Sequence, residues 1–62
     1  MKYCEAIKLL RRKMALTQEE LGKLLNVSVK SVNRWENGKF EPTIKIKKKL
    51  LPLFKDNQIE VI

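Results

Sequence analysis

Between positions 28 and 34 the chain carries Ser28, Lys30, Asn33 and Arg34, which bring hydrogen-bond donors and acceptors to one short stretch. Arginine and lysine match the O6 and N7 acceptors of guanine, and asparagine matches the N6 donor and N7 acceptor of adenine. On a helix, Val32 and Trp35 are three apart and point inward together, which leaves Lys30, Asn33, Arg34 and Asn37 outward. Trp35 is read as core, because a buried aromatic is the main apolar load of a small core. A helix that is apolar behind and hydrogen-bonding in front suits the major groove of double-stranded DNA, which is about 12 Å wide and admits one helix with its side chains.

Other chemistries are poorly supplied. One cysteine, Cys4, and no histidine exclude the usual zinc-ligand sets and the Cys–His nucleophile pair. Cys4 reads as a small packing residue of a reduced protein. No pair of carboxylates clusters in a plausible pocket. The expectation is therefore no enzyme, no cofactor, no metal and no small-molecule ligand. A net charge of +7, from 14 Lys and Arg against 7 Asp and Glu, favours a polyanionic partner, nucleic acid before acidic membrane. No apolar run is long enough for a signal-peptide core or a membrane span, so the expected location is cytoplasmic. A chain of 62 residues makes one domain, 1–62, with little room for a pocket beside its core.

The reading stretch needs elements to hold it. Tyr3, Ile7, Leu10 and Met14 recur at helical spacing and predict a first helix over 2–13, without a clear N-cap. Thr17-Gln18-Glu19-Glu20 is a capping box: the Thr17 hydroxyl and the Glu20 carboxylate each satisfy a backbone donor of the other. It opens a bracing helix at about 18–25 with Leu21, Leu24 and Leu25 as its apolar stripe. Gly22 there is small enough to let another helix approach. Asn26 suits the left-handed bend of a turn over 26–28, and Ser28 caps a recognition helix over about 29–36, which Asn37-Gly38 ends. Pro42-Thr43 begins a last helix with a broad apolar half into which only Lys47 intrudes. A kink or break is expected at Leu51-Pro52, because proline removes a donor and disfavours helical geometry before it. The alternating tail 58–62 reads either as a short strand or as a frayed end.

The unit of helix, three-residue turn, helix and Asn-Gly stop resembles the DNA-binding motif of the Cro and phage-repressor family (lambda repressor-like, XRE) of helix-turn-helix regulators. The matching residues are Leu16, Thr17, Gln18, Glu19, Glu20, Leu21, Val27, Ser28, Val32, Trp35, Glu36, Asn37 and Gly38. The resemblance implies an all-α bundle of four to five short helices. It implies binding to double-stranded DNA in the major groove, usually as a homodimer on a palindromic operator. It also implies roles by position. Gln18 holds a phosphate at the start of the bracing helix. Ser28, Val29, Lys30, Asn33 and Arg34 align with base-reading positions, Val29 suiting a thymine methyl. Asn37 and Lys39 align with phosphate contacts, and Arg11 and Glu36 with a partly buried ion pair. Arg11 has a second reading as a phosphate contact, and the ion pair is preferred. The chain departs from the family's habit at Asn26 (usually Gly), Gly22 (often Ala) and Ala15 (often Gly).

Two surfaces are left over. The lysines at 45–49 read as a solvated face, with Lys45, at the start of its helix, as a nonspecific electrostatic contact to DNA. Ile46, Leu50 and Leu53 are apolar excess that would mate across a two-fold axis, with pairing of the 58–62 tail as the other option. The leading expectation is a transcriptional regulator, a repressor acting as a dimer. The alternative is a protein-interaction or antitoxin-like accessory module that uses its apolar C-terminal helix.

Overall fold

Left-handed residues set the lengths of the helices in this chain, of which a computed structural model describes residues 1–61. Four helices lie among the described residues: α1 (Tyr3–Met14), α2 (Gln18–Leu25), α3 (Val29–Glu36) and α4 (Ile44–Asp56). Each is followed closely by a residue at positive φ: Ala15 at 56°, Asn26 at 61°, Gly38 at 75° and Gln58 at 57°. In each case the next amide reaches back over the turn to a carbonyl of the helix. Leu16 donates to Arg11 O at 2.9 Å, Val27 to Gly22 O at 2.8 Å, Lys39 to Arg34 O at 3.2 Å and Ile59 to Phe54 O at 2.8 Å. This is the Schellman arrangement, which satisfies carbonyls that a helix end otherwise leaves without donors.

The starts of the helices differ. At α2 the expected capping box is complete: Glu20 N–H donates to Thr17 Oγ1 at 3.1 Å and Thr17 N–H to Glu20 Oε1 at 2.8 Å. The bond from the Thr17 backbone, then that with its side chain, holds the Glu20 carboxyl below its ordinary range. At α3 the Ser28 hydroxyl accepts from Ser31 N–H at 3.2 Å. Neither Lys2 before α1 nor Thr43 before α4 makes a side-chain cap.

The core joins all four helices: Ile7 and Leu10 of α1, Leu21 and Leu25 of α2, Val32 and Trp35 of α3, and Leu50 and Phe54 of α4 are buried together. Helix α3 is packed against both α1 and α2, and α4 closes the bundle against the same two. Leu24, expected in the stripe of α2, is instead 52% exposed. Gly22 takes the inward position beside Leu21 and Leu25. It admits a turn rather than another helix: a Cβ on Gly22 would lie 2.8 Å from the Val27 carbonyl oxygen.

The C-terminal third corrects three expectations. Of the kink or break expected at Leu51-Pro52, the break is absent: helix α4 is continuous from Ile44 to Asp56. Pro52 and Lys48, whose carbonyl loses its helical donor, are both exposed, so the carbonyl that proline orphans belongs to the solvent side of the helix. Ile46 and Leu50 are core rather than surplus, and Leu53 is half-buried; the apolar side chains that α4 does expose are Ile44 and Leu51. The tail is not a strand within the described residues; Ile62 lies outside them. It turns at Gln58 and returns Ile59 to the core beside Phe54, which secures the last turn of α4. Lys47, the intruder on the apolar half, is reconciled by a salt bridge to Glu41 at 2.9 Å and by the Tyr3 ring 4.6 Å from its ammonium.

Ala15, like Gln58, holds a left-handed conformation with a Cβ and without the short polar side chain that suits Asn26 to it. A left-handed residue with a Cβ costs about 1–2 kcal/mol, and glycine avoids that cost but loses about 0.4–1 kcal/mol through the freer unfolded chain. Ala15→Gly therefore stabilises by about 0.5–1 kcal/mol net, read as a higher urea midpoint with an unchanged slope.

Candidate functional site

Helix α3 divides as its sequence requires. Val32 and Trp35 are buried behind it, while Ser28, Lys30, Asn33, Arg34 and Asn37 are exposed in front. Val29, the apolar member of that face, is 45% exposed. Lys39 follows the helix on the surface, and Lys45 is exposed in the first turn of α4. The short α2–α3 turn, left-handed at Asn26, sets the angle at which this face is presented.

A buried carboxylate organises the base of the site. Glu36 is 4% exposed at the last position of α3, the negative end of that helix's dipole, where an anion is unwelcome. Arg11 of α1 meets it with two donors of the guanidinium fork: Nε to Oε2 at 2.7 Å and a terminal nitrogen to Oε1 at 3.0 Å. Gln18 of α2 donates to the same Oε1 at 3.1 Å. Burial pushes the Glu36 carboxyl up, but the hydrogen bonds from Arg11 and Gln18, with the Arg11 charge, outweigh it and leave the group below its ordinary 4.5. The bond to Glu36 raises Arg11 in turn. Of the two readings of Arg11, the ion pair is the arrangement present; its other terminal nitrogen donates to Leu16 O at 3.3 Å.

The network continues outward. Asn33 Nδ2 donates to Gln18 Oε1 at 3.4 Å, and Asn37 Nδ2 donates to Asn33 Oδ1 at 3.0 Å. A chain of amides thus leads from the buried Glu36 to the exposed front of α3. Each primary amide has two N–H donors and two acceptor lone pairs. The chain uses one donor and one lone pair of Asn33, so one of each remains for a partner. Gln18 likewise keeps one N–H free, at the first position of α2.

Several of these contacts had no sequence signal at the level of periodicity. The Gln18–Asn33–Asn37 chain depends on how α2 and α3 cross. Lys49, read as part of a solvated face, donates to Leu25 O at 3.2 Å and so closes the C-terminal end of α2. The Arg34 guanidinium carbon lies 5.5 Å from the centre of the Phe40 ring. Phe40 was missed in the sequence, although an aromatic residue in a short loop just past α3 is a signal that could have found it.

Removing the Arg11 cation leaves a buried anion. Arg11→Met should cost about 3 kcal/mol in chemical denaturation, a large part of what so small a domain holds. The pH dependence follows from the lowered Glu36 group. Its contribution is complete above the unfolded value near 4.5 and is lost as pH falls through the lower folded value. Glu36→Gln should therefore melt below the wild type at neutral pH, with the gap in Tm closing under acid conditions below that value. A gap that stays constant into acid would contradict this.

Comparison with known families matches residues 7–51, most of the chain, to a family described as helix-turn-helix, of the Cro/C1 type. No curated protein and no solved structure gave a match. The match runs from Ile7 within α1 to Leu51 within α4, and so spans the capping box of α2, the left-handed turn and all of α3, which build the exposed face. The chain belongs to the Cro/C1-type (XRE) helix-turn-helix family of DNA-binding transcription regulators.

Proposed function

We propose that this protein is a sequence-specific regulator that inserts α3 into the major groove of double-stranded DNA and acts as a repressor, as a dimer on a palindromic operator. The observation that carries the reading is the exposed face of α3, with Lys30, Asn33 and Arg34 outward and Val32 and Trp35 buried behind. Arg34 and Lys30 suit guanine, Asn33 suits adenine through its remaining donor and acceptor, and Val29 suits a thymine methyl. Ser28 stands at the tip, its hydroxyl shared with Ser31 at 3.2 Å. Gln18, Asn37 and Lys39 frame this face and are assigned to phosphates, with Lys45 as an outlying electrostatic contact. No catalysis is proposed; the location proposed is cytoplasmic.

For the dimer, the exposed Ile44 and Leu51 lie seven residues apart on one side of α4 and replace the buried Ile46 and Leu50 as the apolar surface to be covered. The same pair supports the second reading, an accessory or antitoxin-like module docked through α4. Sedimentation with and without duplex DNA separates them: a docking module ignores DNA, whereas a regulator becomes a protein dimer on a site with two half-sites.

The functional test is selection from random duplex DNA followed by titration. The expected site is a palindrome with half-sites about one helical turn apart. On it, Arg34→Ala should lose about 1–3 kcal/mol and relax one base position in each half-site. Affinity should fall steeply as salt rises, because each neutralised phosphate releases counterions. Enrichment of no sequence, or a flat salt response, would reject the reading.

A further inference from the structure

We propose that Phe40 is a positioning residue for Arg34, an aromatic shelf that holds the guanidinium in its reading pose; this rests on the groove-reading role of α3 proposed above. Phe40 has no role in the core: its side chain is 59% exposed and it stands outside the buried cluster. The Arg34 guanidinium carbon lies 5.5 Å from its ring centre, within the range in which the ring's negative face attracts a cation.

The backbone brings the two together. The turn after α3 is left-handed at Gly38, and the Lys39 amide closes it by donating to the carbonyl of Arg34 itself at 3.2 Å. That bond ties the start of the loop to the Arg34 residue and delivers the next side chain, Phe40, to the Arg34 side chain. No carboxylate competes: among the described residues the ion pairs are Arg11–Glu36 and Lys47–Glu41.

The chemistry of the guanidinium makes the shelf useful. Its faces stack on aromatic rings while its N–H donors lie in the plane and point outward at the edges. A ring therefore restrains the group without consuming the fork that guanine requires. A long arginine loses rotamer freedom when it binds, and part of that loss has already been met in the free protein. Phe40 thus contributes to discrimination at a base it does not touch.

The test uses the full chain and the duplex selected by the wild type, with binding measured to that duplex and to copies altered at each position. Phe40→Ala should reduce discrimination by about 2- to 5-fold, the size of an exposed cation–π contact, at the base pair that Arg34→Ala relaxes. Other positions and the salt slope should not change. Phe40→Trp should keep the discrimination, and Phe40→Leu, which retains apolar bulk without the π face, should lose it. In an Arg34→Ala background, Phe40→Ala should add nothing. An even loss at all positions, or no loss, would overturn the proposal. A readout without DNA keeps it separable from the DNA-binding reading: NMR of the free protein should show ring-shifted Arg34 side-chain protons that return to ordinary values in Phe40→Leu. If the wild type selects no duplex, the regulator reading fails, and so does the base-reading purpose of the shelf. If a site is selected but the Arg34 protons do not respond to Phe40→Leu, only the shelf is overturned.

Discussion

A carboxylate buried at the negative end of a helix cannot stand without compensation, and Glu36 is that carboxylate. Every helix that shapes the candidate site contributes to its satisfaction. Helix α1 supplies the cation, α2 supplies an amide, and α3 supplies the acid itself. Burial alone would favour the protonated form, so the hydrogen bonds determine its state. The pair is bidentate, which fixes angles as well as distance and therefore fixes how α1 meets the end of α3. In a domain this small the core cannot dictate every crossing angle by packing alone, and a single misplaced donor here would leave a charge without a partner.

That constraint reaches the surface through amides rather than through the core. Gln18 touches Glu36 on one side and Asn33 on the other, and Asn37 extends the line. The front of α3 is thus organised before any partner arrives, while donors and acceptors remain unspent on Asn33 and Gln18. Preorganisation of this kind lowers the ordering cost of recognition and narrows the poses a partner meets. The same economy recurs at the helix ends, where left-handed turns keep α2 and α3 short and hold their connection to the bend at Asn26.

Much of the fold was legible because its signals are local. The Thr17–Glu20 box, the Asn26 bend, the Ser28 cap and the Asn37-Gly38 stop are each written within a few residues, and all four stand where the sequence put them. The helical face of Val32 and Trp35 is equally local, and it brought Lys30, Asn33 and Arg34 outward together. The Arg11–Glu36 pair was reached through family resemblance, since its members are far apart in sequence. What stayed hidden depends on tertiary geometry. Ile46 and Leu50 looked like surplus because a helical wheel does not reveal that α4 is covered by both α1 and α2. A kink or break was expected at Pro52 because proline lacks a donor and disfavours helical geometry before it; that local rule says nothing of Ile59, which returns to the core just beyond the helix. Lys49 looked solvated because its acceptor, the Leu25 carbonyl, belongs to another helix.

The roles given to individual side chains on the front of α3 are a further step from the fold, and they stand or fall on where DNA touches the protein. The direct measurement is a map of backbone amide shifts as a duplex carrying the selected site is added to labelled protein. The account predicts that the largest changes fall on Ser28 to Arg34, with Gln18 and Lys39 at the rim, and that the amides around Ile59 stay still. Changes concentrated on α4 and the C-terminal turn, with the Ser28 to Arg34 stretch unmoved, would contradict it.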